Sequence, residues 1–209
     1  MPAELSALLD SRVRTRGLVV DRAVPELRIR FDSHAGEPRN ADLALVGRVG
    51  PSRIAVNVEA KADEPFGASI ETTRKAARKR LAANPRSRGI QRLDDLVRAL
   101  LPARGHGQPG ADTLRYQLLT AVAGTLAFAH QNAAETAVLV IHEFVTHRTV
   151  DSRHQANADD LAAFLHRLSG AAGVDPRAGT LLGPFAVPGP PLFPRAASLL
   201  VGKIVTRRR

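Results

Sequence analysis

The chain has 209 residues, 44% of them apolar, and carries 30 Lys and Arg against 20 Asp and Glu for a formal charge of +10. That length suits one large domain with a real core, and the positive balance suits a polyanionic partner, the bland alternative being arginines spread over solvated faces. With no Cys in the sequence, disulfides, thiolate zinc sites and a Cys nucleophile are excluded.

In chain order, residues 2–10 have helical spacing at Leu5, Leu8 and Leu9, with no basic start or continuous apolar run of the kind a secretory signal needs. Residues 18–20 and the alternating 27–31 read as strands, and 32–40, with Gly36 and Pro38, as a loop. Strands over 42–49 and 53–62 flank Gly50-Pro51-Ser52, a turn of hairpin length. A basic helix follows over 69–83, capped by Ser69 or Thr72, and a second over 90–101, ended by Pro102. Between 68 and 104 ten basic residues face three acidic ones, a local net of +7.

A Gly-rich loop precedes the longest helix, 114–132, opened by Asp112 or Thr113; its apolar run over 118–130 is interrupted and falls short of the roughly 20 residues a membrane span needs. Residues 136–145 are nearly all apolar and β-branched, as in a strand covered on both faces at the centre of a sheet. A helix over 159–169 stops at Gly170, the Pro-rich stretch 183–194 is an irregular crossing, and 199–206 is a last strand before the Arg207-Arg208-Arg209 tail. No repeat or linker divides the sequence, so the expectation is a single α/β domain over 1–209, in a cytoplasmic protein without membrane contact.

Strand alternation sends Asn57, Glu59 and Lys61 to one face, and Asp42 joins them when the hairpin register permits. Hard carboxylate oxygens suit magnesium, which binds through one or two carboxylates plus water and phosphate oxygens. The ion lowers the pKa of a bound water and neutralises phosphoryl charge, while an ammonium positions the attacking water. The constellation is that of a phosphodiester hydrolase.

Asp42, sixteen intervening residues, then Glu59-Ala60-Lys61 on adjoining strands resembles the signature of the PD-(D/E)XK nuclease superfamily. The wider wording around Asp42, Val58 to Gly67, Arg115-Tyr116-Gln117-Leu118-Leu119 and Val140-Ile141-His142 is similar to a bacterial family of restriction-endonuclease-like proteins. The resemblance implies a restriction-endonuclease-like core, a central mixed β-sheet flanked by helices. It also implies a Mg2+ or Mn2+ dependent deoxyribonuclease serving restriction or antiphage defence. Asp42 and Glu59 then correspond to the metal ligands and Lys61 to the catalytic lysine. Glu4 stands for the first-helix Glu that assists the metal in some relatives, and Gln117 for a Gln that faces the active site in one branch. The Pro before the first Asp is replaced by Asn40-Ala41.

Duplex DNA is the expected partner, held through backbone contacts by Arg74, Lys75, Arg78, Lys79 and Arg92, since few aromatics are near for stacking on single strands; a homodimer is compatible with this reading. The bland reading of the helix is a solvated face, and that of Glu-x-Lys an exposed cross-strand ion pair. Asp63 and Glu64 extend the site or merely end a strand. His142, with Glu143 and His147, is read as a satisfied core histidine because the spacing is not that of a helical zinc motif. No Gly-x-Ser-x-Gly elbow, phosphate loop or dinucleotide fingerprint is present. The rival function is a non-catalytic nucleic-acid-binding or assembly module on the same fold.

Overall fold

In the computed structural model, residues 1–34, 36–170, 174–193 and 197–207 are described. Arg208 and Arg209 of the basic tail, and Pro194 of the Pro-rich stretch, lie outside them. Six strands, β1 (Val19–Ile29), β2 (Arg39–Val49), β3 (Ser52–Lys61), β4 (Thr136–Val145), β5 (Thr180–Phe185) and β6 (Ser198–Arg207), form one mixed sheet. Its order is β1-β2-β3-β4-β6-β5, with β3, β4 and β6 mutually parallel and the remaining pairs antiparallel. The apolar 136–145 segment lies inside the sheet as expected, because parallel strands need cover on both faces.

The cover differs on the two sides. On one, α1 (Ala3–Asp10) seats Leu5, Leu8 and Leu9 against Val56, Val58, Val138, Val140, Leu200 and Ile204. On the other lie α2 (Ile70–Ala83), α3 (Gly89–Leu100), α4 (Tyr116–Gln131) and α5 (Asp151–Ser169). Every residue of α4 from Leu118 to Ala129 is buried, so this helix is core all round, as its scarcity of charge requires. The fold is thus α/β, a six-stranded mixed sheet flanked by helices. No helix among the described residues is long and apolar enough to cross a membrane.

Several elements differ from the sequence reading. The strands read over 18–20 and 27–31 are one continuous strand, β1 (Val19–Ile29), although Pro25 interrupts the pattern. β1 is a sheet edge, where a missing N–H costs no ladder bond. β5 occupies the start of the Pro-rich stretch and contains Pro184, again on an edge. Helix α5 begins at Asp151, well before 159, because its start is capped from elsewhere in the chain: Asp63 Oδ1 accepts from Val150 N at 2.9 Å. The long helix α4 opens after a 3-10 turn at Ala111–Thr113, with Arg115 at its cap and no side-chain cap bond. Ser69, by contrast, caps α2 as expected, accepting from Thr72 N at 3.1 Å.

Candidate active site where two strands part

β2 and β3 pair from Val49↔Ser52 as far as Leu43↔Val58. Beyond that point β2 continues to Arg39 along β1, while β3 continues to Lys61 along β4. The two strands therefore part at one end of the sheet. Asp42 stands at the parting: the register extended by one residue sets it opposite Glu59, and its Oδ2 accepts from Ala60 N at 2.6 Å, a backbone donor the ladder has left unpaired. Among the described residues Asp42 Oδ1 accepts no hydrogen bond.

Glu59 and Lys61 share the helix-covered face, as alternation demands, and are only 3% and 4% exposed. Three donors converge on the Glu59 carboxylate. Arg39 pairs with Oε2, and Lys61 Nζ and Gln117 Nε2 approach Oε1 at 2.9 and 2.5 Å. Gln117 projects from the first turn of α4, which is tied to the start of α2 by Tyr116 N to Ala68 O at 3.1 Å and Ile70 N to Leu114 O at 2.8 Å. Lys61 Nζ also lies 5.5 Å from the Phe66 ring centroid and 3.7 Å from Glu64 Oε1. A cleft of about 420 Å³ opens over this cluster, its wall including Arg39, Lys61, Glu64, Tyr116, Gln117 and Thr120. Gly67, at φ +70°, turns the chain at the rim in a conformation a side chain would resist.

Burial pushes the Lys61 ammonium below the usual lysine range; Glu64 and Asp42 oppose the shift and Arg39 adds to it. Burial alone would raise the Glu64 carboxyl, but the amides of residues 62–64 and the Lys61 charge together lower it. Burial lowers Arg39, with Asp42 opposing. Tyr116 is raised by burial, within the fields of Arg92, Asp32 and Arg80.

The expected residues are thus divided. Asp42, Glu59, Lys61 and Gln117 come together. Glu4 does not join them: it accepts from Thr206 Oγ1 at 3.0 Å, on β6 and under α1, across the sheet from Lys61. Asp63 turns away to α5, pairing with Arg153 at 2.7 Å. His142 is a buried core histidine, 2.9 Å from Thr206 Oγ1 and tilted against the Phe144 ring, while His147 is exposed. Of the five basic residues, Arg74 is paired with Asp94 and Asp112 and Arg92 with Asp32, so both tie the protein to itself; Lys75 pairs with Glu71 on the surface, and Arg78 and Lys79 are exposed.

Sequence reasoning missed Arg39, which looked like the end of a loop. Glu143, singled out in the sequence only beside His142 and His147, belongs to a second buried cluster on the same face that the sequence did not assemble: registered beside Lys61, it pairs with Lys203 Nζ at 3.0 Å, with the His154 ring 3.5 Å away. The charge of Glu143 inside an otherwise apolar strand is visible in the sequence; its partners Lys203 and His154, on β6 and α5, are not.

The described residues hold no group of three or more His, Asp or Glu able to surround a metal ion. An ion here would have two carboxylate ligands, Asp42 and Glu59, completed by water and substrate oxygens, and that donor set fits magnesium or manganese. No curated protein and no solved structure matches the chain. Over residues 1–199 the sequence matches the family described as a domain of unknown function (DUF6946), and the chain belongs to that family.

Proposed function

We propose that the protein is a metal-dependent deoxyribonuclease with a restriction-endonuclease-like core, hydrolysing phosphodiester bonds at the parting of β2 and β3. One observation carries this reading: Asp42, with an oxygen unclaimed, stands opposite Glu59 where the strands separate, and Lys61 shares the face beneath an open cleft. Asp42 and Glu59 would hold a divalent ion, which would supply Lewis acidity to the phosphoryl group. Lys61, fixed by Glu59 and Phe66 and lowered in proton affinity, orients the attacking water and exchanges a proton with it closer to neutrality than a free lysine does. Gln117 donates to the Glu59 carboxylate and helps orient it. The duplex is gripped by sequence-independent phosphate contacts from Arg78 and Lys79 and from Arg80, Arg86 and Arg88, which are exposed along α2 and the turn into α3.

Plasmid incubated with Mg2+ or Mn2+ is expected to be nicked or linearised by the parent protein and not by Asp42→Ala or Lys61→Ala, each loss being on the order of 100-fold or more. Metal-dependent cutting that survives both substitutions removes the assignment. The alternative, a non-catalytic nucleic-acid-binding module, draws on the fact that both Glu59 oxygens already have partners. It predicts duplex binding without cleavage and without a metal requirement.

A further inference from the structure

The carboxylate that would share a metal with Asp42 is occupied by the protein's own cations, Arg39 at Oε2 and Lys61 at Oε1. Both cations line the cleft together with the exposed Glu64 carboxylate, whereas neither Glu59 nor Asp42 does, so an ion drawn in past Glu64 must displace a cation to reach Glu59. The two are not equivalent. Lys61 is on the same strand as Glu59 and the pleat sets their relation. Arg39 comes from the stretch of β2 that has left β3, three residues before Asp42, whose charge acts on it. It therefore reaches Glu59 from the Asp42 side, the side on which an ion shared by the two carboxylates would sit.

Resting on the nuclease reading above, we infer that Arg39 is a placeholder for the metal that doubles as the substrate clamp. Its guanidinium neutralises Glu59 until a divalent ion arrives, then turns to the oxygens of the substrate phosphodiester. The second half follows from burial. The Arg39 side chain is 15% exposed and packs on Gly124, where a Cβ would come within 3.1 Å of Arg39 Cγ. A guanidinium deprived of its carboxylate in such a place is costly unless another anion replaces it, and its planar fork matches paired phosphate oxygens. Metal alone must strip Arg39 of a partner; metal together with phosphate gives it a new one. The two ligands accordingly bind with positive coupling, and linkage makes the coupling reciprocal.

Arg39→Met keeps the aliphatic packing on Gly124 and removes the charge, while Arg39→Lys keeps the charge without the fork. Mn2+ affinity is read by electron paramagnetic resonance on the metal alone, and the affinity of a short labelled duplex by anisotropy in EDTA and in Ca2+. Between EDTA and Ca2+ the parent is expected to tighten on the duplex by a factor in the range of about 5 to 150. Arg39→Met is expected to bind Mn2+ about tenfold more tightly than the parent and to lose most of that tightening. Arg39→Lys is expected to retain weak Mn2+ binding yet lose the tightening, and it decides the matter if the Met variant does not fold. Equal Mn2+ affinity and equal tightening in parent and variants overturn the role of Arg39 and leave the nuclease reading intact. A parent that binds no Mn2+ and does not respond to Ca2+ removes both.

Discussion

Lys61 brings an ammonium to a position only 4% exposed, and the structure surrounds it with one close carboxylate, one distant one and an aromatic ring. Burial leaves its folded-state proton affinity below that of an unfolded lysine at 10.5. The unfolded chain then binds more protons between the folded value and 10.5, so the lysine penalises folding at low pH and the penalty is relieved as pH rises through that window. The unfolding free energy of the parent minus that of Lys61→Met is therefore expected to increase as pH is raised toward 10.5, measured by urea denaturation in one buffer series. A flat difference would mean that the ammonium is as well solvated in the fold as outside it. The residue type and face of Lys61 are legible from Glu-x-Lys on an alternating strand. Its partner Arg39 is not, because an arginine beside Pro38 reads as a loop residue until β1 is known to extend β2 past the point where β3 leaves.

At the scale of elements, the basic stretch over α2 and α3 separates into arginines that hold the fold and arginines that face outward. Arg92 donates to Asp32 at 2.7 Å and covers the Phe31 ring at 4.8 Å, and the Asp32 side chain is 1% exposed. Arg92→Ala leaves that carboxylate buried with only the His34 amide as donor, and is expected to cost about 3 kcal/mol in denaturant unfolding. Arg80, Arg86 and Arg88 differ: they are exposed, make no ion pair with other described residues, and with Arg92 and Glu37 line a hollow of about 720 Å³ at the α2–α3 turn. Replacing Arg80, Arg86 and Arg88 by Gln is expected to leave stability unchanged and to flatten the dependence of duplex affinity on salt, by about 0.9 in log–log slope for each phosphate no longer neutralised. An unaltered slope and affinity would show this face to be solvated only. The +7 charge of the segment was readable from sequence; which arginines were spoken for was not, since their partners Asp32 and Asp112 lie on other elements.

For the molecule as a whole, the sheet divides two cores and only one of them carries the candidate chemistry. α1 closes the opposite face, with Leu8 fully buried against the sheet and close enough to β6 that a Cβ on Gly202 would fall 2.9 Å from one of its methyls. Leu8→Ala is expected to lower the unfolding free energy by about 2 to 5 kcal/mol while leaving duplex binding in the folded protein unchanged. A parallel loss of binding with the fold intact would mean that the two faces communicate through β3 and β4. The Pro-bearing edges, Pro25 in β1 and Pro184 in β5, end the sheet on either side, which keeps its unpaired donors few.

The sequence by itself determined the elements whose pattern is local. β4 announces itself by its nearly unbroken apolar, β-branched run, α2 by its Ser69 cap, and the Glu59–Lys61 pair by a period of two that any strand obeys. Only the tertiary structure decided what depends on distant partners: the start of α5, capped by Asp63 from the end of β3; the reach of Arg39 and Gln117 to Glu59; the removal of Glu4 to the far face. The physical reason is common to these cases. Alternation and capping chemistry act within a few residues and can be read along the chain, whereas a buried charge takes its partner from whichever element packing brings near, and that is settled by where β2 and β3 part.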